Sequence, residues 1–598
     1  MAGTNAPDSL DVIRVKNLQV MAFFSDGAQW LSDTAKLQPV QITLDIAYDV
    51  SGAAAADDLT QSINYSDVCK TLTSTATSQT FASLEDLCST SSEEETDVKT
   101  AALALGSNLG DRFTNIEVAL RVLETPGVHY NGLSADAFVN VVNTSFMYET
   151  EPMYVSDQPK FINCACMLLT LVKRVEVIVG RVVSFRNGPR AIDLDVLLYS
   201  TRTVDTRPTN SRSLSAEHLE GHLVVPHPRM LEREFVLRPL NDMIPGYIHP
   251  VAKCSIRSLF SDLINIQPAD TPLMNKVTPF PRYPFCGPDT PSEPESSQLP
   301  RISPVPPTAT YWKYPVVSST SLPTKALPKR KTYIMGTLNV TPDSFSDGAV
   351  NNTIPAALRY AQLAAEAGAD ILDVGGYSTR PGAEHVTPEE EFTRVVPVIQ
   401  AIRTQFQQGA LGDPSRELLI SVDTFRWEVA EEAVHAGANC INDVYAFRGP
   451  GWPVDASSDE NFAKMKQVAR ELVVPVVLMH SRGVPSANKD YSEYAYVEDS
   501  STVEGVRVEL GARVESIVKG KAGYPMLVGA SRKSFLGLLL ENPDEEGSYA
   551  GRQTKADGRD FATAGAIAWA VQSKAEIVRV HNVEGLGDVV RITSAIMG

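Results

Sequence analysis

The strongest constraint on the fold is an alternation of apolar, strand-like runs with amphipathic helical patterns across residues 331–598. Runs of this kind, each followed by a helical segment, predict a parallel sheet built from repeated βα units. We find seven runs, one fewer than a closed (β/α)₈ barrel needs. They are TYIMGTLNV, ADILDVGG, LLISVDT, CINDV, PVVLMH, PMLVGAS and EIVRVHNV.

Polar side chains stand at the carboxyl ends of these predicted strands. In barrels of the TIM type the chemistry gathers at that end of the sheet. A helix cap or a turn would explain any one of these residues, but it explains poorly a polar group at all seven strand ends. The set is Asn339, Asp373, Asp423, Asn442, His480, Lys533, Arg579 and His581.

Four motifs in this region occur in order, each after a predicted strand. They are NVTPDSFSDG (339–348), STRPG (378–382), SRKSF (531–535) and RVHNV (579–583). Together they make residues 331–598 resemble dihydropteroate synthase, a TIM-type barrel. That family condenses a dihydropterin-methyl pyrophosphate with para-aminobenzoate. Its sixth strand has no counterpart here, because the segment before YPMLVGAS leaves no room for it.

The resemblance implies a role for each polar group, and the residue types suit those roles. Arginine forks match phosphate oxygens, and hard oxygen ligands suit Mg²⁺. Pyrophosphate and its Mg²⁺ are expected at Asn339, Arg380, Arg579 and His581, with Asn339 as the metal ligand. The pterin ring is expected at Asp423, Asn442 and Lys533, and the aminobenzoate pocket, which sulfonamides occupy in the family, at Thr379, Pro381 and Ser534.

Two alternatives to a synthase stay open at this point. The pterin-binding domain of corrinoid methyltransferases would share Asp423 and Asn442, but it has no use for SRKSF or the first loop. A barrel that binds pterin, or that assembles a homo-oligomer, without turnover is the second alternative. Formation of pteroate from aminobenzoate separates both from a synthase.

The middle of the chain carries a second ordered set of motifs. It comprises ALGSNLGDR (104–112), DQPKFINCA (157–165), GRVVSFRNGPRAIDLDVLLY (180–199) and VPHPRMLEREFVLRPL (225–240). Residues 99–266 thereby resemble 6-hydroxymethyl-7,8-dihydropterin pyrophosphokinase, a ferredoxin-like α+β domain. The resemblance implies transfer of pyrophosphate from ATP to the pterin alcohol.

Strand alternation in IDLDVLLY places Asp193 and Asp195 on one face, where two carboxylates can hold Mg²⁺ ions that bridge ATP phosphates. Basic groups suited to clamp phosphate are Arg181, Arg186, Arg190, His227 and Arg233. The resemblance places the nucleotide near Glu176, Arg186, His227 and Arg233. Phe161 and Phe235 can sandwich a flat pterin whose edge bonds to Asn163.

The N-terminal segment, about residues 1–90, resembles part of dihydroneopterin aldolase through QPVQITLDIAYDV and TFASLEDL. The closing strand of that family, with its catalytic lysine, has no counterpart, so we expect the aldolase activity to be lost. The three modules follow the order of fungal-type multifunctional folic acid synthesis proteins. A proline-rich stretch, residues 267–330, has no core-forming pattern and is interpreted as a linker.

Composition limits the partners and the compartment. A net charge of −19 and a pI near 5.0 disfavour nucleic acids and anionic membranes as partners. We therefore expect small-molecule substrates: the pterin alcohol, ATP and para-aminobenzoate. The start of the chain lacks the pattern of a signal peptide, which predicts an intracellular protein, cytoplasmic or alternatively mitochondrial.

Overall fold

The computed structural model describes residues 11–24, 36–48, 73, 80–81, 100–124, 141–168, 188–208, 212, 222–268, 271–284, 303–316, 330–341, 353–377, 386–408, 418–450, 457–481, 502–517, 523–543 and 548–597. The chain divides into two compact units, Met1–Val98 and Lys99–Gly598. Each unit is described by itself below.

The first unit contains a long antiparallel pair of strands. β1 (Asp11–Phe24) pairs with β2 (Lys36–Tyr48), and the short β3 (Thr80–Phe81) lies parallel to the end of β1. The resulting order is β2-β1-β3. β2 coincides with the QPVQITLDIAY run, whose β-branched residues suit an extended strand.

The second unit begins with an antiparallel sheet and three helices. The two central strands, β4 and β7, are buried on both faces, which is why AALALGS and FINCACML are continuous apolar runs. The elements are β4 (Ala101–Ser107), α1 (Arg112–Glu124), β5 (Val141–Thr144), β6 (Met147–Thr150), β7 (Phe161–Leu168), β8 (Asp193–Tyr199), β9 (Val204–Asp205), β10 (Val224–Val225), α2 (Glu234–Met243) and α3 (Ile256–Ile266).

The helices cover both faces of this sheet. Leu103 and Leu105 of β4 pack in one cluster with side chains of α1. Ala102, on the opposite face, packs in a second cluster with side chains of α2 and α3. Alternating side-chain direction along β4 accounts for this division, and the α+β class expected from the sequence is confirmed.

The proline-rich stretch differs from the expectation of a linker without structure. β11 (Asn275–Pro281) and β12 (Thr308–Pro315) form an antiparallel pair, and β11 pairs in turn with β6. The sheet order is therefore β12-β11-β6-β7-β4-β8. β12 is the edge strand, and Pro279 and Pro281 lie beyond the part of β11 that pairs with β6, Asn275–Val277, so neither proline removes a hydrogen bond to that strand.

Among the described residues, the barrel sheet is parallel and has seven strands, as many as the sequence predicts. Its order is β17-β16-β15-β14-β13-β19-β18. The elements are β13 (Tyr333–Asn339), α4 (Ile354–Glu366), β14 (Ile371–Gly375), α5 (Pro388–Gln408), β15 (Leu419–Asp423), α6 (Trp427–His435), β16 (Cys440–Asp443), α7 (Ser457–Glu471), β17 (Val476–Leu478), α8 (Thr502–Ile517), β18 (Leu527–Val528), α9 (Ser534–Glu541), α10 (Asp560–Gln572), β19 (Ile577–Val580) and α11 (Val583–Met597).

The described strands of the barrel do not close into a ring. β17 and β18 are the two edges of the sheet, and no pairing joins them among the described residues. This seam lies where the sixth strand of a closed barrel would stand.

Across the same described ranges, no helix is long and apolar enough to cross a membrane.

The hairpin formed by β11 and β12 of the antiparallel domain covers the floor of the barrel, the end at which the parallel strands begin. Trp312 of β12 stacks on Tyr333 at a centroid distance of 4.1 Å and contacts Phe280 of β11 at 4.7 Å. These rings pack against the inward side chains that begin the barrel strands, including Ile371 and Leu419. Burial of this aromatic cluster is expected to stabilise the junction of the two domains.

Candidate active sites

One cleft in the antiparallel domain brings together residues from β7, β8 and the start of α2. Asp193 and Asp195 extend into it from β8, while Leu194 between them is buried in the core with α1, as the alternation predicts. Seven of the predicted residues line this cleft: Phe161, Asn163, Arg190, Asp193, Asp195, Arg233 and Phe235.

Asn163 is held in place by its neighbours. Its Nδ2 donates to Oγ1 of Thr150 at 2.8 Å, and a Cβ at Gly106 would lie only 3.0 Å from its Oδ1. Glycine at position 106 therefore leaves space for the amide at the floor of the cleft. A fixed amide between aromatic walls can recognise the edge of a flat heterocycle.

The two aspartates suit a magnesium ion that also binds phosphate. Arg190 Nη1 lies 2.8 Å from Oδ2 of Asp193. Among the described residues, no group of three or more His, Cys, Asp and Glu side chains could by itself hold a metal ion. Mg²⁺ is commonly bound through one or two carboxylates together with substrate phosphates, so a pair of aspartates fits it.

His227 and Arg233 lie beside this pair at the mouth of the cleft. Burial, followed by the charges of Arg233 and Arg229, lowers the pKa of His227 to about 4, so the imidazole is neutral at neutral pH. Arg233 Nη2 donates to the Tyr154 hydroxyl at 3.2 Å. The Nε atom of Arg233 is buried and has no hydrogen-bond partner in the described part of the chain, as expected of a group that binds an anionic ligand.

Sequence reasoning missed Tyr154 and Arg229 at this mouth. The guanidinium of Arg229 lies 4.8 Å from the centroid of the Tyr154 ring. The arginine in HPRM was a visible signal, whereas Tyr154 lies in an extended segment without a pattern.

Six predicted residues lie outside the described ranges: Glu176, Arg181, Arg186, Thr379, Arg380 and Pro381.

The second cluster fills the interior of the barrel. Arg579 Nε donates to Oδ2 of Asp373 at 2.7 Å, and its Nη2 donates to Oδ2 of Asp423 at 2.7 Å. Asn442 Nδ2 donates to the same Asp373 oxygen at 3.0 Å. The structure thus brings four strand-end residues together, and it shows Arg579 bound to the carboxylates of Asp373 and Asp423.

Asp373 and its neighbours hold buried polar atoms that have no hydrogen-bond partner among the described residues. They are Asp373 Oδ1, Thr337 Oγ1 and Ser421 Oγ. Thr337 and Ser421 occupy the positions directly opposite Asp373 on the two neighbouring strands. Native proteins rarely leave such groups unsatisfied, so this layer of the barrel can accept a polar ligand or water.

The charges in the barrel are strongly coupled. Burial, and next the charge of Asp373, raises the pKa of Asp423 to about 7. Burial opposes the charge on Arg579, but the carboxylates of Asp373 and Asp423 hold its pKa above the ordinary value. Desolvation, followed by Arg579, lowers the pKa of Lys533.

Asn339 and His581 complete the rim. A Cβ at Gly375 would lie 3.4 Å from Cβ of Asp423 and 3.8 Å from Oδ1 of Asn339, so this glycine keeps the space between them open. His581 Nδ1 lies 2.9 Å from Ser531 Oγ, and burial followed by Arg579 lowers the pKa of His581 to about 3. A neutral His581 can donate one hydrogen bond to an anion.

Ser534 and Asp443 complete the inventory of the barrel rim. Ser534 is exposed at the first position of α9. Asp443, which sequence reasoning missed, accepts backbone N–H bonds from Tyr445 at 2.7 Å and Phe447 at 2.9 Å. Burial raises the pKa of Asp443 to about 7. Its position directly after Asn442, at a strand end, was the available signal.

Known families match the chain in three blocks. The sequence model of 7,8-dihydro-6-hydroxymethylpterin-pyrophosphokinase (HPPK) matches residues 102–245. The model of the pterin binding enzymes matches residues 335–521 and 504–581, and the model of dihydroneopterin aldolase matches residues 32–103.

Complete proteins match as well. The mitochondrial folate synthesis bifunctional protein of Pisum sativum is 32% identical over 569 residues, covering 86% of this chain and 93% of the pea protein. The folic acid synthesis protein of Schizosaccharomyces pombe is 32% identical over 540 residues, covering 84% of this chain and 60% of the yeast protein. The fold is similar to a crystal structure of HPPK-DHPS in complex with substrates, with a TM-score of 0.57 and 17% sequence identity. The similarity covers 84% of this chain and 100% of that chain.

An antiparallel kinase-like domain joined to a parallel barrel with a polar interior defines a two-domain pterin enzyme. The matched blocks and the full-length relatives identify its family more closely. The chain belongs to the multifunctional folate synthesis proteins, with an HPPK domain, a dihydropteroate synthase domain and a partial aldolase domain.

Proposed function

We propose that this chain catalyses two consecutive steps of folate biosynthesis. The first transfers pyrophosphate from ATP to 6-hydroxymethyl-7,8-dihydropterin. The second condenses the product with para-aminobenzoate to give dihydropteroate. The observation that carries the proposal is the convergence of aromatic, amide, acidic and basic groups in one cleft beside Asp193 and Asp195.

In the kinase cleft, Phe161 and Phe235 would stack on the two faces of the pterin while Asn163 bonds to its edge. Arg190 and Arg233 would neutralise the phosphates of ATP. A bound Mg²⁺ held by Asp193 and Asp195 would supply charge stabilisation for the transferred group. Pyrophosphoryl transfer depends mostly on positioning and electrostatics, which this set of side chains provides.

In the barrel, Asp423 would accept hydrogen bonds from the pterin, and Asn442 would accept or donate them. Lys533 would contact the same ring. Asn339, Arg579 and His581 would bind the departing pyrophosphate, with Arg380 added from the loop after β14. Thr379, Pro381 and Ser534 would line the aminobenzoate pocket. The alternative, a pterin-binding barrel without turnover, predicts that no dihydropteroate forms.

The open seam makes the synthase the weaker of the two activities. An aspartate that the family supplies from its sixth βα unit has no counterpart here. Each ring donor left unpaired costs about 1–3 kcal/mol, a loss of affinity of about ten- to a hundredfold. We therefore expect pyrophosphate binding to be retained better than pterin binding.

The N-terminal unit has no aldolase activity in this proposal, because the catalytic lysine of that family has no counterpart. Release of glycolaldehyde from dihydroneopterin tests this point. An intracellular site of action, cytoplasmic or mitochondrial, fits these substrates, and the pea relative and one from Arabidopsis are named mitochondrial.

We also propose that the barrel forms a homo-oligomer. α10 and α11 pack on each other and expose large apolar side chains: Phe561 (92%), Trp569 (68%), Ile592 (61%) and Ile596 (73%). Exposed apolar groups of this kind commonly mark an interaction surface. Sedimentation of the full chain tests the proposal, and a monomer at micromolar concentration would contradict it.

The kinase assignment is tested with Asp195→Ala in the full chain, assayed for AMP formation from ATP, Mg²⁺ and the pterin alcohol. We expect turnover to fall by about a hundredfold or more, since metal-mediated charge stabilisation is worth several kcal/mol. Asp262→Ala on the exposed surface of α3 is the control and should leave turnover unchanged. Equal AMP formation by Asp195→Ala and the unchanged chain would refute the assignment.

A further inference from the structure

A buried carboxylate of β6 collects four donors from two elements of the chain. Glu149 is 2% exposed, and Arg112 of α1 donates to its Oε1 through Nη1 and Nη2, each at 3.2 Å. The Tyr311 hydroxyl donates to Oε1 at 2.7 Å, and Lys313 Nζ donates to Oε2 at 2.5 Å. Burial raises the pKa of Glu149, but the bonds from Lys313 and Tyr311 outweigh it and hold the pKa below the ordinary value.

Two short routes lead from Glu149 to the proposed pterin-binding wall. Along β6 the next residue is Thr150, whose Oγ1 accepts the bond from Asn163. The second route runs through Arg112, whose Nη1 also donates to the Lys160 carbonyl at 2.9 Å. The network of Glu149, Arg112, Tyr311 and Lys313 thereby holds Lys160, the residue immediately before Phe161. The network therefore fixes the backbone on both sides of the aromatic and amide groups of the cleft.

β12 supplies two of these donors and simultaneously faces the barrel. Tyr311 and Lys313 point to the kinase domain, whereas Trp312 and Tyr314, the alternate residues, pack in the floor of the barrel. Opposite side-chain directions of successive strand residues produce this arrangement. The strand is thus a wall shared by the two domains.

The start of β12 is also tied to the kinase domain. The Thr308 backbone N–H donates to Asp111 Oδ2 at 2.6 Å, and the Thr308 hydroxyl donates to Asp111 Oδ1 at 2.9 Å. Asp111 directly precedes Arg112 and the start of α1. β12 therefore contacts the network at Glu149 and also the turn that presents Arg112.

We propose that Tyr311 and Lys313 are positioning residues of the pyrophosphokinase: through Glu149 and Arg112 they hold the wall that binds the pterin. The inference rests on the proposed function of the cleft, and it assigns part of the kinase site to the segment that joins the two domains. Neither residue lines the cleft itself. Their loss therefore affects pterin binding first and leaves the nucleotide and metal groups in place.

The test compares Tyr311→Phe and Lys313→Met with the unchanged full chain. We expect KM for the pterin alcohol to rise by about tenfold, the loss typical of one hydrogen bond to a buried charge, with KM for ATP unchanged. Phenylalanine at 311 can keep the ring contact with Phe113 at 5.0 Å and removes only the hydroxyl. A pterin titration by calorimetry measures the same loss without turnover.

Lys276→Met is the matched control in the same hairpin. Lys276 donates to the Gly523 carbonyl and lies 3.7 Å from the Phe146 ring centroid, away from Glu149. We expect its KM for the pterin alcohol to match that of the unchanged chain. An unchanged pterin affinity in both test variants, or an equal loss in the control, would overturn the inference, whereas no AMP from the unchanged chain would instead refute the proposed function.

Discussion

At the scale of single residues, the barrel interior is governed by one arginine between two aspartates. Arg579 bonds to Asp373, which is fully buried, and to Asp423. Two carboxylates in a buried site repel each other, and the arginine compensates only part of this repulsion. Burial, and next the charge of Asp373, raises the pKa of Asp423 to about 7, although aspartate titrates at about 3.9 in water.

This raised pKa predicts a pH dependence of pterin binding. A carboxylate accepts the N–H donors of the ring, and protonation of Asp423 below about pH 7 removes that acceptor. We therefore expect the affinity of the barrel for pterin to rise with pH up to about 7 and then to level off. Calorimetric titrations between about pH 6 and about pH 8 measure it.

Asp423→Asn is the control for this titration. The amide cannot ionise in this range, so the variant should bind more weakly and show a flatter pH profile. If the unchanged chain binds pterin equally at both ends of the range, Asp423 does not titrate as described. The same carboxyl should destabilise the fold as pH rises from about 4 to about 7, because the folded state holds its proton more tightly.

At the scale of elements, the sequence predicted the barrel strands but not the hairpin of β11 and β12. The barrel strands are apolar runs with polar ends, and their two-residue alternation brought Asp373, Asp423 and Asn442 to one interior. The hairpin is rich in proline, and YWKY in β12 is covered on both faces by different domains. No alternation of polar and apolar residues results, so the pattern gave no signal.

The hairpin should contribute strongly to stability through Trp312. This side chain is 7% exposed and lies between Phe280 and Tyr333. Trp312→Ala should lower the free energy of unfolding of the barrel by about 3–5 kcal/mol, the usual cost of removing a large core side chain. Denaturant unfolding followed by circular dichroism measures the change.

Trp312→Phe is the matched variant, because it keeps an aromatic ring in the floor of the barrel. We expect it to lose clearly less stability than Trp312→Ala. A loss of no more than about 0.5 kcal/mol for Trp312→Ala, the range of surface substitutions, would mean that the hairpin does not support the barrel.

At the scale of the whole molecule, the kinase and the barrel share packing as well as a chain. Arg470 of α7 forms ion pairs with Glu117 at 2.9 Å and Glu124 at 2.6 Å of α1. Asn439, at the floor of the barrel, donates to the Pro281 carbonyl of β11 at 2.7 Å. Contacts of this kind depend on how the two domains are placed in the folded chain. Sequence patterns therefore predicted the two sites but not the contacts between the two domains.

We propose that one chain performs both steps and that the open barrel is the slower of the two catalysts. The most direct measurement follows AMP and dihydropteroate together in one reaction of the full chain with ATP, Mg²⁺, the pterin alcohol and para-aminobenzoate. We predict that AMP forms faster than dihydropteroate, that the pterin pyrophosphate accumulates, and that Asp195→Ala abolishes both products. A reaction that yields no dihydropteroate, AMP formation no higher than in Asp195→Ala, or dihydropteroate formed as fast as AMP without accumulation would each contradict this proposal.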